Sequence, residues 1–401
     1  MNYKYISTVL VVALIQSVTF AQKPDVNKAF DHAAKQTSVM LLEVEKAKST
    51  AKPELISPRT LDNGNLKLVA SRDWTSGFFP GSLWYLSEYT GSKEWQTQAK
   101  KFTAEIEKEK TNGGTHDMGF KVYCSVGNAY RLTNDPHYKE VIIESAKTLA
   151  TRFNPKTGVI RSWDHSTDKW VNPVIIDNMM NLELLFAATK LSGDSSFHKI
   201  AVSHANTTLK NHFRPNHSSY HVLDYDPQTG EVLKRNTHQG YFHESAWARG
   251  QAWGLYGYTL CYRETKDPRY LKQAENIAKF MLKHRNMPKD LVPFNDYDAP
   301  NIPNEARDAS AAAVMASGLY ELSTYSKKGR SFRKSADKAM HSLSTKYIAP
   351  VGEARGFILL HSTGAAPSKS EVDVPLSYAD YYYLEALLRK KHLLEKEPVV
   401  Q

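Results

Sequence analysis

The sequence predicts an all-α fold, a ring of six helical hairpins closed into an (α/α)6 barrel, in one domain with short β segments confined to loops. Three observations predict it. A turn-plus-helix unit recurs along the chain, helical runs of two different characters alternate, and strand-like alternation is brief.

The elements follow in order. Val26 to Lys48 is the first helical run, and the next begins after Trp74 and leads into TGSKEWQTQAKKF from Thr90. Four further pairs succeed it: GFKVYCSVGNAYRL with TNDPHYKEVIIESA from Thr133, NMMNLELLFAATKL with SGDSSFHKIAVSHA from Ser192, AWARGQAWGLYGYTLCYRE with TKDPRYLKQAENIA from Thr265, and ASAAAVMASGLYELSTY with SKKGRSFRKSADKA from Ser326. YADYYYLEALLRKK closes the set. The second member of each pair opens on a polar turn, places an aromatic (Trp95, Tyr138, Phe197, Tyr270, Phe332) and continues as an amphipathic helix, as expected for an outer helix. The first members are rich in Gly, Ala and apolar residues and poor in charge, as helices surrounded by protein are. Inner and outer helices thus alternate, and the pattern counts about twelve, or six hairpins. YHVLDYD and the region from Gly352 to His361 supply the short strand-like stretches.

A length of 401 residues with 41% hydrophobic composition is enough for a sizeable core. Lys4 followed by an apolar run from Ile6 to Ile15, with Thr19 and Ala21 before Gln22, reads as a signal peptide over residues 1–21, cleaved near Ala21 to leave 22–401 as the mature domain. The expected location is secreted or periplasmic, with no membrane anchor, because no Cys follows the apolar run and no later stretch approaches transmembrane length. Cys124 and Cys261 lie in apolar helical surroundings and read as buried thiols; no metal-site spacing is present, and no metal or cofactor is expected. The formal charge of +10 is spread over polar helix faces without a basic block or nucleic-acid motif, so an acidic polysaccharide fits better than nucleic acid.

In HESAWARGQAWGLYGY, Trp247, Arg249 and Trp253 are interleaved with Gly250, Gly254 and Gly257. Two readings stand side by side. The glycines admit a neighbouring helix closely, or the indoles stack on a sugar ring while the guanidinium grips its carboxylate. Polar residues also gather where the inner helices begin: His116 and Asp117, Asp177, His243 and Glu244, Arg307 and Asp308. In a barrel of hairpins all inner helices run the same way, so these clusters share one rim and two carboxylates converge there. One is then held protonated near neutral pH and acts as a general acid while the other stays charged. An Asp before a helix is also a favoured cap, but Asp177 in IIDNMM is flanked by apolar residues, where an unpaired charge is costly. His221 and Gln239 are weaker signals, since a lone His or Gln is usually a satisfied polar group. The patterns GxxxxGK[ST], GxGxxG after a strand, HExxH and GxSxG are absent, so nucleotide, zinc-protease and serine-hydrolase readings lose most of their support.

RDWTSGFFPGSLWYL, THDMGF, IIDNMMNLELL, HQGY followed by SAWARGQAWGLYGY, and PNEARDASAAAVMASGLYEL, in that order, resemble the unsaturated glucuronyl hydrolases, glycoside hydrolase family 88. The resemblance runs from about Trp74 to the last helix. It implies a six-hairpin barrel that removes the 4,5-unsaturated uronic acid left at a non-reducing end by polysaccharide lyases. The family hydrates the C4=C5 bond and leaves the anomeric carbon alone. By motif match the acid/base is Asp177, with Asp117 as the second carboxylate, and Trp74, His221, Gln239, Trp247, Arg249 and Trp253 surround the sugar. HSTGAAPSKSEVD offers Ser362, Ser368 and Lys369 for a sulfate, at a spacing that departs from the family's Ser- and Lys-containing loop; such loops also serve as plain connectors. The expected partners are unsaturated, sulfated uronic-acid disaccharides and short oligosaccharides from glycosaminoglycans. Three other readings remain: an unsaturated rhamnogalacturonyl hydrolase of pectin breakdown, a non-catalytic surface sugar-binding protein, and an α/α-barrel sugar epimerase using His-based proton exchange.

Overall fold

The computed structural model describes residues 23–400, so the proposed signal peptide lies outside the described residues. Twelve α-helices dominate: α1 (Val26–Lys48), α2 (Phe78–Thr90), α3 (Lys93–Ala104), α4 (Asn128–Thr133), α5 (Pro136–Ala150), α6 (Asn178–Ser192), α7 (Ser195–Asn211), α8 (Ala248–Thr265), α9 (Pro268–Lys283), α10 (Ala309–Tyr325), α11 (Gly329–Lys346) and α12 (Ser377–Glu395). A π-helix over Gly119–Gly127 runs directly into α4 and completes one inner element.

Inner helices touch in a closed circuit, α2 to the π-helix, then α6, α8, α10, α12 and back to α2, while α3, α5, α7, α9, α11 and α1 each back onto an inner partner. This is the (α/α)6 barrel. Its packing follows the composition of the runs: every residue of α8 from Ala248 to Cys261, and of α10 from Ala309 to Ser323, is buried. In the outer helices burial recurs on one face, and the repeated aromatics Tyr138, Phe197, Tyr270 and Phe332 are buried against the inner ring.

The recurrent turn has a physical function. Ser92, Asp135, Asp194 and Asp267 each cap an outer helix by accepting the backbone N–H two residues on. Such a cap contributes about 1 kcal/mol and fixes where the outer helix starts. In the fifth turn Ser326 Oγ likewise accepts the N–H two residues on, that of Lys328 at 3.0 Å, but α11 starts one residue later, at Gly329, and its N-cap Lys328 supplies no side-chain cap.

The glycines of α8 are explained by packing. A Cβ on Gly257 would stand 2.5 Å from the Met179 Cβ of α6, and one on Gly250 would meet the Trp247 ring at 2.8 Å. Cys124 and Cys261 are free and buried.

The strands are loop furniture at the rim where inner helices begin. β1 (Leu55–Asp62) and β2 (Asn65–Ala70) form a hairpin before α2, closed by Asn63 and Gly64, both at positive φ. β3 (Phe153–Asn154) and β4 (Val159–Ile160) form a second, and β5 (Pro173–Ile175), β6 (Val222–Tyr225) and β7 (Val232–Asn236) make a three-stranded antiparallel sheet in the order β5-β6-β7. Among the described residues no helix is long and apolar enough to cross a membrane.

Candidate active site

The three-stranded sheet brings the first two site residues together. Its register pairs Ile175 with Val222, and Ile176 N–H donates to the His221 carbonyl at 3.1 Å, so Asp177 at the start of α6 faces the His221 side chain. Asp177 holds the N-cap position of α6 but its side chain makes no cap hydrogen bond. It is 7% exposed, and its Oδ1 is buried without a hydrogen-bond partner, 3.6 Å from His221 Nε2. Burial pushes the Asp177 carboxyl up to about 7; Arg249 pulls it down and Asp117 pushes it further up. Asp308, by contrast, is a true cap, its Oδ1 accepting from Ser310 and Ala311 N–H.

Both carboxylates meet an imidazole. His221 Nδ1 accepts the backbone N–H groups of His238 and Gln239, each at 3.1 Å, which assigns its proton to Nε2, toward Asp177. Burial drives the His221 pKa well below the ordinary histidine value, so the ring is neutral. Asp117 stands 3.3 Å from His116 Nε2 through Oδ1, and its Oδ2 accepts from Thr115 Oγ1 at 2.6 Å. His116 is buried, its pKa is lowered by that burial, and its Nδ1 faces the Asn181 amide at 3.5 Å. Gly119, at the start of the π-helix, lets that turn close on Asn181, because a Cβ there would lie 2.7 Å from the Asn181 Oδ1. π-helical turns are rare and are frequently found at functional sites.

An aromatic floor closes the barrel beneath these groups. Trp74 packs on Phe120 at 5.6 Å and Tyr378 at 5.0 Å, Phe120 on Trp253 at 5.2 Å, and Trp253 on Tyr382 at 5.4 Å between ring centroids. The buried Trp253 indole N–H faces the Asp177 carboxyl and favours its charged form. Trp247 is buried between the His221 ring at 4.5 Å and the Arg249 guanidinium at 4.6 Å. Below the floor, toward the far end of the inner helices, lies a cavity of about 480 Å³. Its charges are matched: Arg263 pairs with Glu183, Glu264 and Glu321, and Arg389 with Glu321 and Glu385. The poised Asp177 carboxyl is at the rim and does not line this cavity.

Arg249 is placed differently from a free fork awaiting a substrate carboxylate. Its Nη1 bonds Asp308 Oδ2 at 2.7 Å and the Thr363 carbonyl at 2.5 Å, and its Nη2 bonds the Gly364 carbonyl at 2.7 Å, while its buried Nε has no partner and one Nη2 N–H is unused. Gln239 Nε2 donates to the same Gly364 carbonyl at 3.1 Å. Both side chains tie the segment before α12 to the site, and the Arg249 charge reaches Asp177 across that gap.

Ser362, Ser368 and Lys369 do not converge. Backbone pairing of Ser362 with Val374 and of Ala365 with Ser370 makes residues 362–374 a hairpin. Ser362 sits buried at its base, while Ser368 and Lys369 are exposed at its tip, with Ser368 Oγ donating to the Ala365 carbonyl at 3.1 Å. The hairpin thus sets Ser362 at its base apart from Ser368 and Lys369 near its tip. Arg59 fixes the hairpin, with Nε and Nη2 on Glu371 at 2.6 and 2.9 Å and Nη1 on Asp73 at 2.8 Å. Sequence reasoning passed over His116 as a partner of Asp117, Arg59, and a group of rings at Trp163, His165, Trp170 and His238; two Trp framing WDHSTDKW were the available signal for the last. Among the described residues, no group of three or more His, Cys, Asp or Glu is placed to hold a metal ion.

Known proteins resemble this chain in sequence and fold. An unsaturated glucuronyl hydrolase of Formosa agariphila is 52% identical over 332 residues, covering 82% of each chain. An unsaturated chondroitin disaccharide hydrolase of Streptococcus pyogenes serotype M1 is 31% identical over 382 residues, 92% of each chain. A crystal structure of an unsaturated glucuronyl hydrolase specific for heparin superposes with a TM-score of 0.85 at 47% identity, over 92% of this chain and 100% of that one. The profile of Glycosyl Hydrolase Family 88 matches residues 53–389, and the chain belongs to that family.

Proposed function

We propose that the protein is an exported unsaturated glucuronyl hydrolase, which removes the 4,5-unsaturated uronic acid from lyase-generated glycosaminoglycan disaccharides and short oligosaccharides. The observation that carries this reading is Asp177, a buried carboxyl poised near neutral pH with an unpartnered oxygen at the rim. Protonation of an enol ether requires an acid with a raised pKa, and this group is one. Protonated Asp177 gives its proton to C4; as a carboxylate it then takes a proton from the water that adds at C5. The hemiketal so formed opens, giving a ketone at C5 and a hemiacetal at C1 that expels the remaining sugar. Asp117, steadied by Thr115 and His116, orients the ring, and Trp74, Trp247 and Trp253 offer it apolar faces. His221 holds its Nε2–H toward the acid, and Arg249 tempers how far the Asp177 pKa rises.

Incubation with lyase-generated disaccharides, following ultraviolet absorbance of the double bond, tests the reading. Loss of absorbance with glycosaminoglycan products supports it; loss with the pectin product alone moves the substrate to unsaturated rhamnogalacturonan. Retained activity in Asp177→Asn refutes the assignment of the acid. The apolar leader before Gln22 supports export to the periplasm or medium, and the basic surface, +10 overall, supports a preference for sulfated over unsulfated substrates.

A further inference from the structure

The hairpin at 362–374 holds Ser362 apart from Ser368 and Lys369, and a second place on the same rim gathers basic side chains around two Trp rings. Trp163, 9% exposed, packs edge-on against Trp170 at 5.5 Å and stacks in parallel with the His165 ring at 5.2 Å. The His238 ring stands 5.7 Å from Trp163 and 5.9 Å from Trp170, and Lys169 Nζ lies 6.0 Å from the Trp170 ring. His165, Lys169 and His238 are exposed. Trp163 Nε1–H is buried without a hydrogen-bond partner.

This group is continuous with the catalytic machinery on two sides. Trp163 pairs through its backbone with Thr115, whose hydroxyl holds Asp117. The backbone N–H of His238 fixes His221 Nδ1, and the two imidazoles are 6.5 Å apart. Local charge favours an anion. Asp164 is neutralised by Arg152 at 2.8 Å and Arg161 at 2.7 Å, leaving exposed Asp168 as the other carboxylate of the loop. Burial, with His165 and Lys169 beside it, lowers the pKa of His238, and a bound anion would offset that shift.

We propose that His165, Lys169 and His238 form an anion subsite that takes a sulfate ester carried by the unsaturated uronate or by the sugar attached to it. The inference rests on the glucuronyl hydrolase reading above. Two imidazole N–H donors and an ammonium match the acceptor oxygens of a sulfate, while the ring faces accept the C–H surface of a sugar.

Three unsaturated disaccharides test it by kcat/KM: one unsulfated, one sulfated on the uronate alone, one sulfated on the amino sugar alone. The subsite predicts that Lys169→Ala lowers kcat/KM about tenfold or more for one of the sulfated substrates and within about twofold for the others, as loss of a charge-assisted contact does. His165→Gln moves the same substrate in the same direction, and the substrate affected tells which sugar carries the recognised sulfate. Equal losses on all three substrates, or no loss on any, overturn the subsite. So does Lys369→Ala reproducing the selective loss while Lys169→Ala leaves it intact. If the parent protein turns over none of the three, the glucuronyl hydrolase reading itself falls, and the subsite with it.

Discussion

Replacing Asp177 by Asn should abolish turnover and stabilise the fold, and the stabilisation should grow with pH. Burial raises the Asp177 carboxyl from 3.8 to about 7. The native state therefore holds this proton over a range where the unfolded chain has released it, so the parent loses stability as pH rises from about 4 to about 7 and no further above. At about 1.4 kcal/mol per pKa unit, the penalty approaches a ceiling of about 4 kcal/mol by pH 8 and is under about 2 kcal/mol at pH 5. Asn carries no such penalty. Allowing for relaxation around the site, the variant should exceed the parent by about 1–3 kcal/mol at pH 8, several degrees in Tm, and by distinctly less at pH 5. Its activity, followed by loss of the double-bond absorbance, should fall by at least about 10²–10⁴, the range of general acid–base catalysis. Thermal unfolding at the two pH values is the companion assay. An Asn variant that retains turnover, or whose Tm advantage is the same at pH 5 and pH 8, would refute the picture of a buried, protonated acid.

Three further outcomes follow from the same geometry. In the parent, kcat/KM should decline about tenfold per pH unit above about 7, as Asp177 loses the proton it must donate; a flat profile to pH 9 would point to a different acid. Arg249→Met should destabilise the protein by about 3–5 kcal/mol in denaturant unfolding, because Asp308 is left as a buried uncompensated charge and the Thr363 and Gly364 carbonyls lose their donor. Gly257→Ala should cost about 1–3 kcal/mol, since its Cβ would meet Met179 at 2.5 Å and force α8 away from α6, with kcat falling as the start of α6 shifts; an unchanged Tm would contradict that contact.

The barrel was legible because its signals are local and repeated. Low-charge inner runs, amphipathic outer runs and the capping turn before Asp135, Asp194 and Asp267 each report on one helix, and their alternation reports on the ring. The β1–β2 hairpin also has a local signal, Asn63-Gly64, but a helix count passes over it. Asp177 could be singled out because apolar neighbours on both sides announced a buried carboxylate. What escaped was everything set by partners distant in sequence. The Arg249 fork is largely taken up by residues 59, 114 and 115 positions away, partners that its residue type and helical placement do not announce. Ser362 and Lys369 are close in sequence yet lie at opposite ends of a hairpin, whose pairing with Val374 and Ser370 has no signature in a Ser- and Pro-containing loop. The neutral, oriented state of His221 depends on two backbone N–H groups 17 and 18 residues on, which no residue-type argument supplies. The π-helical turn after Asp117 likewise depends on its fit against Asn181 and not on composition.

The central claim is that Asp177 drives hydration of C4=C5 and not hydrolysis at the anomeric carbon. The direct measurement is turnover of an unsaturated glycosaminoglycan disaccharide in deuterated water, followed by NMR at early times. Hydration predicts one deuterium delivered to a single face of C4, appearing with loss of the double bond and release of the second sugar, and absent with Asp177→Asn. Release of the second sugar with no deuterium at C4 would contradict it.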